Sequence, residues 1–461
     1  MLFGNNRLTE EKGLMDFAKR AHDHNYRLDP IVRSRLDDDA YKWFMGATIY
    51  EKHPMTRVTF AMTNRTTDVR LADHFSICEL KEQLDHVLTL GYTPSEIIHM
   101  RGQSYDGESG RFKDGYVNRM AISKLPDYEL TVHEDTGQFE LRSSGAWLDV
   151  KHWEIHFLSI VNELYSRAQM RLLSRSQLDI MYARAKVRLY AKLERIAREA
   201  PELTISEFGT RRRHSFLWQR WVIQTMKEVL GSQFVGTSNL LHAKELGVEV
   251  KGTIAHEMSM VYAALAAKYG PEALRQSQYQ VLKDVQSVLP EALRLFLPDT
   301  FGTTQFLQGA PDWLQWWKGF RPDSKESIEA GEEAIRFWKS MGQDPAKKLL
   351  VLSDGLDVDL PGEPGNGADM IAIHKALHGR IIDTYGWGTN ASNGFRGTVP
   401  GMPDLMRPIS IVAKAVEAEG RATVKISDNP AKAKSEDPAE LAFYLSTFGQ
   451  DGVGAARRTL V

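Results

Sequence analysis

The sequence predicts an α/β protein, and three observations carry that prediction. From Glu207 to about Thr389, apolar runs at 234–235, 248–250, 296–298, 318–321, 349–352 and 380–385 alternate with helical patterns. Such alternation implies parallel strands joined by helical crossovers, closed as a barrel or left as an open sheet. The candidate functional residues His256, Asp299, Arg321, Asp323, Asp354 and Thr389 each follow shortly after an apolar run, as they do on the carboxyl-end face of a barrel. The part before residue 150 reads instead as mixed helix and short alternating strand.

Taken in order, Asp37, Asp38 and Asp39 are placed to cap a helix running through Tyr50. Residues 57–62 are β-branched and apolar and read as a strand, 68–90 as one or two helices, and 117–148 as short strands separated by turns. A long helical region is expected over 153–200, with Leu178, Met181, Ala185, Leu189, Leu193 and Ile196 on one apolar face. Its basic face carries Arg175, Arg184, Lys186, Arg188, Lys192 and Arg195 interspersed with Asp179, Glu194 and Glu199. A solvated face is preferred there over a nucleic-acid track. The run 234–257, FVGTSNLLHAKELGVEVKGTIAHE, gives a strand, a helix 240–246 capped by Ser238 or Asn239, a short strand 248–250, and a Gly-Thr turn before a helix that His256 opens. A helix begins near Ser327, 357–368 is a Pro/Gly-rich exposed loop, 409–417 and 422–426 form a hairpin, and 440–446 is a last helix.

The 461 residues carry 42% hydrophobic and 26% charged side chains, enough for two or three domains with sizeable cores. A formal net charge of −2 supplies no global field toward nucleic acid or an anionic membrane, so any bound anion must be held locally. Cys78 is the only cysteine, which excludes an intrachain disulfide and a cysteine zinc cluster and suits a reducing compartment. Residues 1–30 contain no apolar run, and no later stretch reaches spanning length. The expectation is a cytoplasmic protein with neither nucleic-acid nor membrane partners.

Strand, Gly-Thr turn and helix start make an anion-ready place, where a neutral imidazole at His256 acts as nucleophile or base toward a phosphate; the bland alternative is a buried histidine in a helix cap. His256-Glu257 is not a zinc-protease motif, because position 260 is Met. His152 and His156, four apart, sit among core-like residues and are set aside as ligands. Phe208, a Gly turn and Arg211 to Arg213 can stack a flat ring and grip a carboxylate or phosphate, against a surface basic cluster as the alternative. Arg321 with Asp323 suits phosphate plus a divalent metal, against a structural salt bridge. Gly386 to Ala391 fits the loose dinucleotide fingerprint, yet reads better as a phosphate loop.

Taken together and in this order, LDDDAYKW, FAMTNR, EFGTRRR, FVGTSN, GTIAHE, RPDS, LSDGLD and GWGTN resemble nicotinate phosphoribosyltransferase over most of the chain, and the pattern is also similar to nicotinamide phosphoribosyltransferase. The resemblance implies an irregular α/β barrel over 146–404 with a second mixed α/β domain built from 1–145 and joined by 405–461. It implies a homodimer with shared active sites that joins nicotinate to phosphoribosyl pyrophosphate in NAD salvage, releases pyrophosphate, and uses Mg²⁺ and ATP. His256 is implied to be the phosphohistidine, oriented by Asp299 through a ring N–H. Phe208 is implied to stack on the pyridine ring, with Tyr41 of a second subunit on the other face. Arg211 and Thr253 are implied near the nicotinate or adjoining phosphates, Arg321 and Asp323 at the sugar pyrophosphate and Mg²⁺, and Asp354 at the ribose hydroxyls. Gly388 and Thr389 are implied at the 5′-phosphate, and Arg65 at a phosphate across the dimer.

Ser238 is implied to favour nicotinate, since nicotinamide-specific relatives carry an Asp there that repels a carboxylate. The usual DSGD of the family is Asp323-Ser324-Lys325-Glu326 here, which puts phosphate approach and metal geometry at that loop in question. The alternatives are a related pyridine phosphoribosyltransferase acting on nicotinamide or quinolinate, and a catalytically silent phosphometabolite- or RNA-binding protein of the same fold, motivated by Lys325 and the basic helix.

Overall fold

The computed structural model describes residues 30–104, 111–363, 365–428 and 433–449. The expectation drawn from residues 1–29 therefore lies outside the described residues, as does Pro364 of the Pro/Gly loop. The strands are β1 (Arg57–Asn64), β2 (Tyr128–His133), β3 (Gln138–Ala146), β4 (Thr204–Glu207), β5 (Phe234–Thr237), β6 (Leu295–Phe296), β7 (Gly319–Phe320), β8 (Leu349–Leu352), β9 (Leu356–Asp357), β10 (Ala368–Asp369), β11 (Ile382–Trp387), β12 (Ile411–Ala418) and β13 (Arg421–Ala422).

Two larger sheets organise the chain. An antiparallel sheet runs β13-β12-β1-β3-β2, and a sheet with all neighbours parallel runs β5-β4-β11-β8-β7-β6. In the first, β12 pairs with β1 from Val58↔Ala418 to Asn64↔Ile411, which brings the C-terminal segment against the N-terminal part. Its alternation is one-sided: Ile411, Ala413 and Ala415 are buried while Lys414 is half-buried on the other face. The expected alternation of strand and helix is present between β4 and β11, and the architecture is mixed α/β.

The helix Trp153–Met170 is buried on every side and packs against β1, β12 and the turn Thr210–Arg212 at the end of β4, so it joins the two layers. The helical region expected over 153–200 consists of two helices: this one stops at Arg171, and Ser174 then caps the helix Arg175–Glu199 through a reciprocal Ser174–Gln177 capping box. The stretch 248–250 is not a strand. Gly247 ends the preceding helix in the left-handed region, leaving room only for an isolated parallel bridge, Thr237↔Val250. Residues 114–121 form a helix that the alternating pattern did not suggest. Asn239 caps the helix Leu240–Leu246 by accepting from His242 N at 2.9 Å, whereas Asp39 makes no side-chain cap for Ala40–Lys52.

The basic face of Arg175–Glu199 is used within the chain. Lys192 Nζ lies 2.6 Å from Asp357 Oδ1, Arg195 lies 3.6 Å from Asp369, and Arg188 Nη1 donates to Arg396 O at 2.8 Å. The Pro/Gly loop is thereby docked on this helix. A small second core lies under the last helix, Pro438–Phe448, where Phe301 and Phe448 stack at 4.4 Å. Such a ring pair contributes about 0.5–1.5 kcal/mol beyond area burial. No helix of the described residues is long and apolar enough to cross a membrane.

Candidate active site

The carboxyl ends of the parallel strands open onto one cavity of about 470 Å³. β4 leads into Phe208 and Arg211, β6 into Asp299, β7 into Arg321 and Asp323, β8 into Asp354, and β11 into Gly388 and Thr389. Of these, all but Asp299 line the cavity, together with Tyr41, Arg65 and His256.

One end of the cavity is aromatic. Phe208 is half-buried, and its ring lies over Gly386, where a Cβ would come within 2.3 Å of Phe208 Cδ2. Glycine at 386 is thus required by the ring's seat, not by backbone conformation. Beside it, Arg211 Nη1 donates to Glu154 Oε1 at 3.1 Å and Tyr41 Oη donates to the same oxygen at 3.2 Å. Behind them, the buried Lys42 bridges Glu154, at 2.6 Å, and Glu257. Burial pushes the Glu154 carboxyl up, but Lys42 and Arg211 outweigh it and hold the group below its usual range. Arg211 therefore meets the cavity as a cation already oriented by a fixed carboxylate, with capacity left for a substrate anion.

The opposite end gathers charges around His256, the first residue of the helix His256–Ala267, whose N-cap Ala255 offers no side chain to the helix start. His256 Nε2 lies 2.9 Å from Asp323 Oδ2, and Nδ1 lies 3.1 Å from Thr300 Oγ1. Asp299 was expected to accept a ring N–H, but its Oδ1 is 3.8 Å from Nε2, beyond hydrogen-bond reach. The turn Pro298–Thr300 presents the Thr300 hydroxyl to the ring, while Asp299 points back to Ser324, which donates to its Oδ2 at 2.9 Å. Arg321 Nη1 donates to Asp323 Oδ1 at 3.0 Å, and Arg321 Nε to Thr253 Oγ1 at 3.2 Å. Thr253 is buried behind Arg321 and does not line the cavity.

Burial raises the Asp323 carboxyl, yet the His256 hydrogen bond and Arg321 hold it well below its ordinary value. Burial raises Asp299 in spite of His256 and Lys425. Burial and, second, Lys425 lower His256, which keeps the imidazole neutral near pH 7.

His256, Asp299 and Asp323 offer three ligand atoms within 4.8 Å of one another. Asp299 Oδ1 is buried and accepts no hydrogen bond among the described residues. An orphaned carboxylate oxygen beside a second carboxylate suits a hard divalent cation such as Mg²⁺, which takes one or two carboxylates and leaves its other positions to phosphates and water.

Several placements differ from the expectation. Tyr41 and Arg65, expected to reach across a dimer, line the cavity from the same chain as Phe208 and Asp354. Ser238 does not touch the cavity; its hydroxyl donates to Asp39 Oδ1 at 2.6 Å, and Asp39 Oδ2 lies 3.8 Å from Arg211 Nε. The two departures at 325–326 also turn away. Lys325 donates to Thr304 Oγ1 at 3.0 Å and pairs with Glu333, while Glu326 caps the helix Ser327–Ser340 by accepting from Ile328 N and Glu329 N. Neither side chain lines the cavity.

Sequence reasoning missed Lys414 and Lys425, which line the cavity from the C-terminal segment; Lys425 Nζ lies 2.8 Å from His256 Nε2. Burial, with Lys425 and Arg65 adding repulsion, pushes the Lys414 ammonium down to about 7. The available signal was a lysine in the middle of the apolar run 411–418, on the face away from the core. Glu154 was also missed as a lining residue, whereas Arg212, named within the run Arg211 to Arg213, does line the cavity.

A profile of the nicotinate phosphoribosyltransferase (NAPRTase) family matches residues 203–451, and one of its N-terminal domain matches residues 36–162. Among solved structures, the chain is similar to nicotinate phosphoribosyltransferase from Vibrio cholerae, with 28% identity and a TM-score of 0.79 over 94% of this chain and 98% of that one. It shares its fold with nicotinate phosphoribosyltransferase from Porphyromonas gingivalis, with 24% identity and a TM-score of 0.76 over 91% of this chain and 100% of that one.

Proposed function

Because the chain belongs to the nicotinate phosphoribosyltransferase family, whose activity serves NAD salvage, we propose that it makes nicotinate mononucleotide and pyrophosphate from nicotinate and phosphoribosyl pyrophosphate, with ATP hydrolysis coupled through His256. The observation that carries this reading is the two-ended cavity: a ring seat with an oriented guanidinium at one end, and cations with paired carboxylates around a neutral histidine at the other.

In this reading Phe208 and Tyr41 hold the pyridine ring and Arg211 pairs with its carboxylate. Asp39, Ser238 and Glu154 fix the guanidinium from behind, and Ser238 supports the preference for nicotinate because an acid there would stand against Asp39. Arg321, held by Thr253 and Asp323, takes the pyrophosphate of the co-substrate, with Arg65 and the two lysines. Asp354 takes the ribose hydroxyls, and Gly388 and Thr389 the 5′-phosphate. As pyrophosphate leaves, the ribose becomes oxocarbenium-like and the pyridine nitrogen attacks it, so positioning and charge neutralisation supply most of the rate. Asp323 and Asp299 would hold Mg²⁺, which neutralises the phosphate oxygens when bound.

With its proton on Nδ1 and donated to Thr300, His256 presents the Nε2 lone pair to the terminal phosphorus of ATP. Attack forms the N–P bond and breaks the bond to ADP; water later hydrolyses the phosphohistidine to phosphate, which favours a substrate-tight state. The six parallel strands are proposed to form an irregular barrel. The bridge Thr237↔Val250 extends β5, and Arg321 at the end of β7 donates to Thr253 and Ile254 across the remaining gap. The division into 146–404 and a second unit of 1–145 with 405–461 belongs to the same proposal, supported by the β1–β12 pairing. So does a homodimer, although a single chain already brings Tyr41, Arg65, Lys414 and Lys425 to the cavity.

The test is product formation from nicotinate beside parallel reactions on nicotinamide and quinolinate. Turnover of nicotinate alone supports the reading; turnover of either other base in its place contradicts it. The silent RNA-binding alternative loses both its motives, since Lys325 and much of the basic helix face are engaged inside the chain.

A further inference from the structure

We infer that the chain carries a second cation site, for zinc or a similar borderline divalent ion, formed by His374, His378 and Glu202 at the end of the parallel sheet opposite the cavity. The three residues offer one ligand atom each within 4.8 Å of one another. His374 and His378 are four apart at the end of the helix Met370–Leu377, so both imidazoles lie on one helix face, with ring centroids 4.8 Å apart. Glu202 comes from the turn just before β4.

The buried histidine is set up as a ligand. His374 Nδ1 lies 2.7 Å from Asp383 Oδ2, and the same carboxylate oxygen accepts the Tyr385 hydroxyl at 2.7 Å. A carboxylate accepting from Nδ1–H fixes the tautomer in which Nε2 carries the lone pair and holds the ring's orientation, the second layer that histidine-ligated metals ordinarily have. His378 and Glu202 are exposed and free to adjust. Their atoms stand 2.7 Å apart as an ion pair; a shared cation would open this to a ligand–ligand edge of about 3.3 Å, given zinc bonds of ~2.0–2.1 Å. Two imidazoles and one carboxylate suit zinc over Mg²⁺ or Ca²⁺, with water completing the tetrahedron.

The location gives the site a role. β4 and β11 are paired neighbours, Thr384↔Thr204, and their other ends carry Phe208, Arg211, Gly388 and Thr389. A cation shared by Glu202, ahead of β4, and the two histidines, ahead of β11, clamps the ends of both strands that the cavity does not use. The site stabilises the sheet and takes no part in the chemistry.

The experiment is equilibrium dialysis of the full chain against zinc sulfate alone, in a His256→Ala background that removes the imidazole from the cluster at the cavity, with zinc at that cluster distinguished by its persistence in the His378→Ala and Glu202→Gln variants. The background chain is expected to bind one zinc, and zinc to raise its Tm. His378→Ala and Glu202→Gln, both at exposed positions, lose the bound zinc and the Tm increase, and Asp383→Asn weakens binding about 10–100-fold. Equal zinc binding by the background chain and its His378→Ala variant, or none by the background chain, overturns the inference and leaves only two ordinary ion pairs.

Discussion

Lys425 Nζ lies 2.8 Å from His256 Nε2, the same nitrogen that faces Asp323 Oδ2 at 2.9 Å. The two contacts demand opposite protonation. Nε2 accepts from the ammonium when the ring is neutral, and donates to the carboxylate when it carries a proton there. After burial, Lys425 is the largest influence lowering His256, while Asp299 and Asp323 act the other way. Removing the ammonium raises the His256 pKa, so the ring stays protonated to higher pH and loses its lone pair over that range. For Lys425→Met, the acid limb of ATP stimulation is expected to move to higher pH in a pH–rate profile. A limb that stays in place or moves down contradicts the assignment.

The seat of Phe208 on Gly386 gives a prediction specific to the base. A Cβ at 386 would meet the ring at 2.3 Å, so Gly386→Ala displaces it, and Phe208→Ala deletes it. Stacking of a flat base on an aromatic side chain contributes about 1–3 kcal/mol, so KM for nicotinate should rise on the order of tenfold or more in both variants. KM for phosphoribosyl pyrophosphate should stay close to that of the parent. Steady-state kinetics with each substrate varied in turn separates the two.

Lys325, one of the two departures at 325–326, is pinned to Glu333 and Thr304 away from the cavity. Lys325→Gly should leave the affinity for phosphoribosyl pyrophosphate and the Mg²⁺ requirement unchanged. It should cost about 1–3 kcal/mol of stability, because the partly buried Glu333 loses its cationic partner. Urea unfolding beside a Mg²⁺ titration of the rate checks both halves.

Lys414 is pushed down to about 7 by burial and the charges of Lys425 and Arg65. An anion bound beside it favours the charged form and raises its pKa, so between about 7 and the new value the chain takes up a proton as the phosphate binds. Calorimetric titration with phosphoribosyl pyrophosphate at pH 8, in buffers of different ionisation enthalpy, should show proton uptake that Lys414→Met removes. Proton release, or uptake unchanged in that variant, contradicts the role.

What could be read from the sequence follows a physical division. The strands at 128–133 and 349–352 and the Asn239 cap were legible because each is specified by its own few residues. The break between the helices ending at Met170 and starting at Arg175 was also written locally, as Ser174 and Gln177, but was hidden by continuous apolar periodicity on either side. The residues that follow parallel strands could be named in advance since strand direction places them on one face. Lys414 could not, because it reaches the cavity through pairing of β12 with β1, some 350 residues away in sequence, and neither could Lys425, which follows the short strand β13 that pairs with β12. The partner of His256 was misjudged for a related reason. Asp299 and Thr300 are adjacent in one tight turn, and only the turn's geometry decides which of them meets the ring.

The most direct test of the central claim is formation of nicotinate mononucleotide from nicotinate, phosphoribosyl pyrophosphate and Mg²⁺, with and without ATP, by the parent chain and by His256→Ala. The parent is expected to form product and to be stimulated by ATP. His256→Ala is expected to form product at a rate that ATP does not change. Full ATP stimulation in His256→Ala, or no product from nicotinate in the parent, would contradict the account.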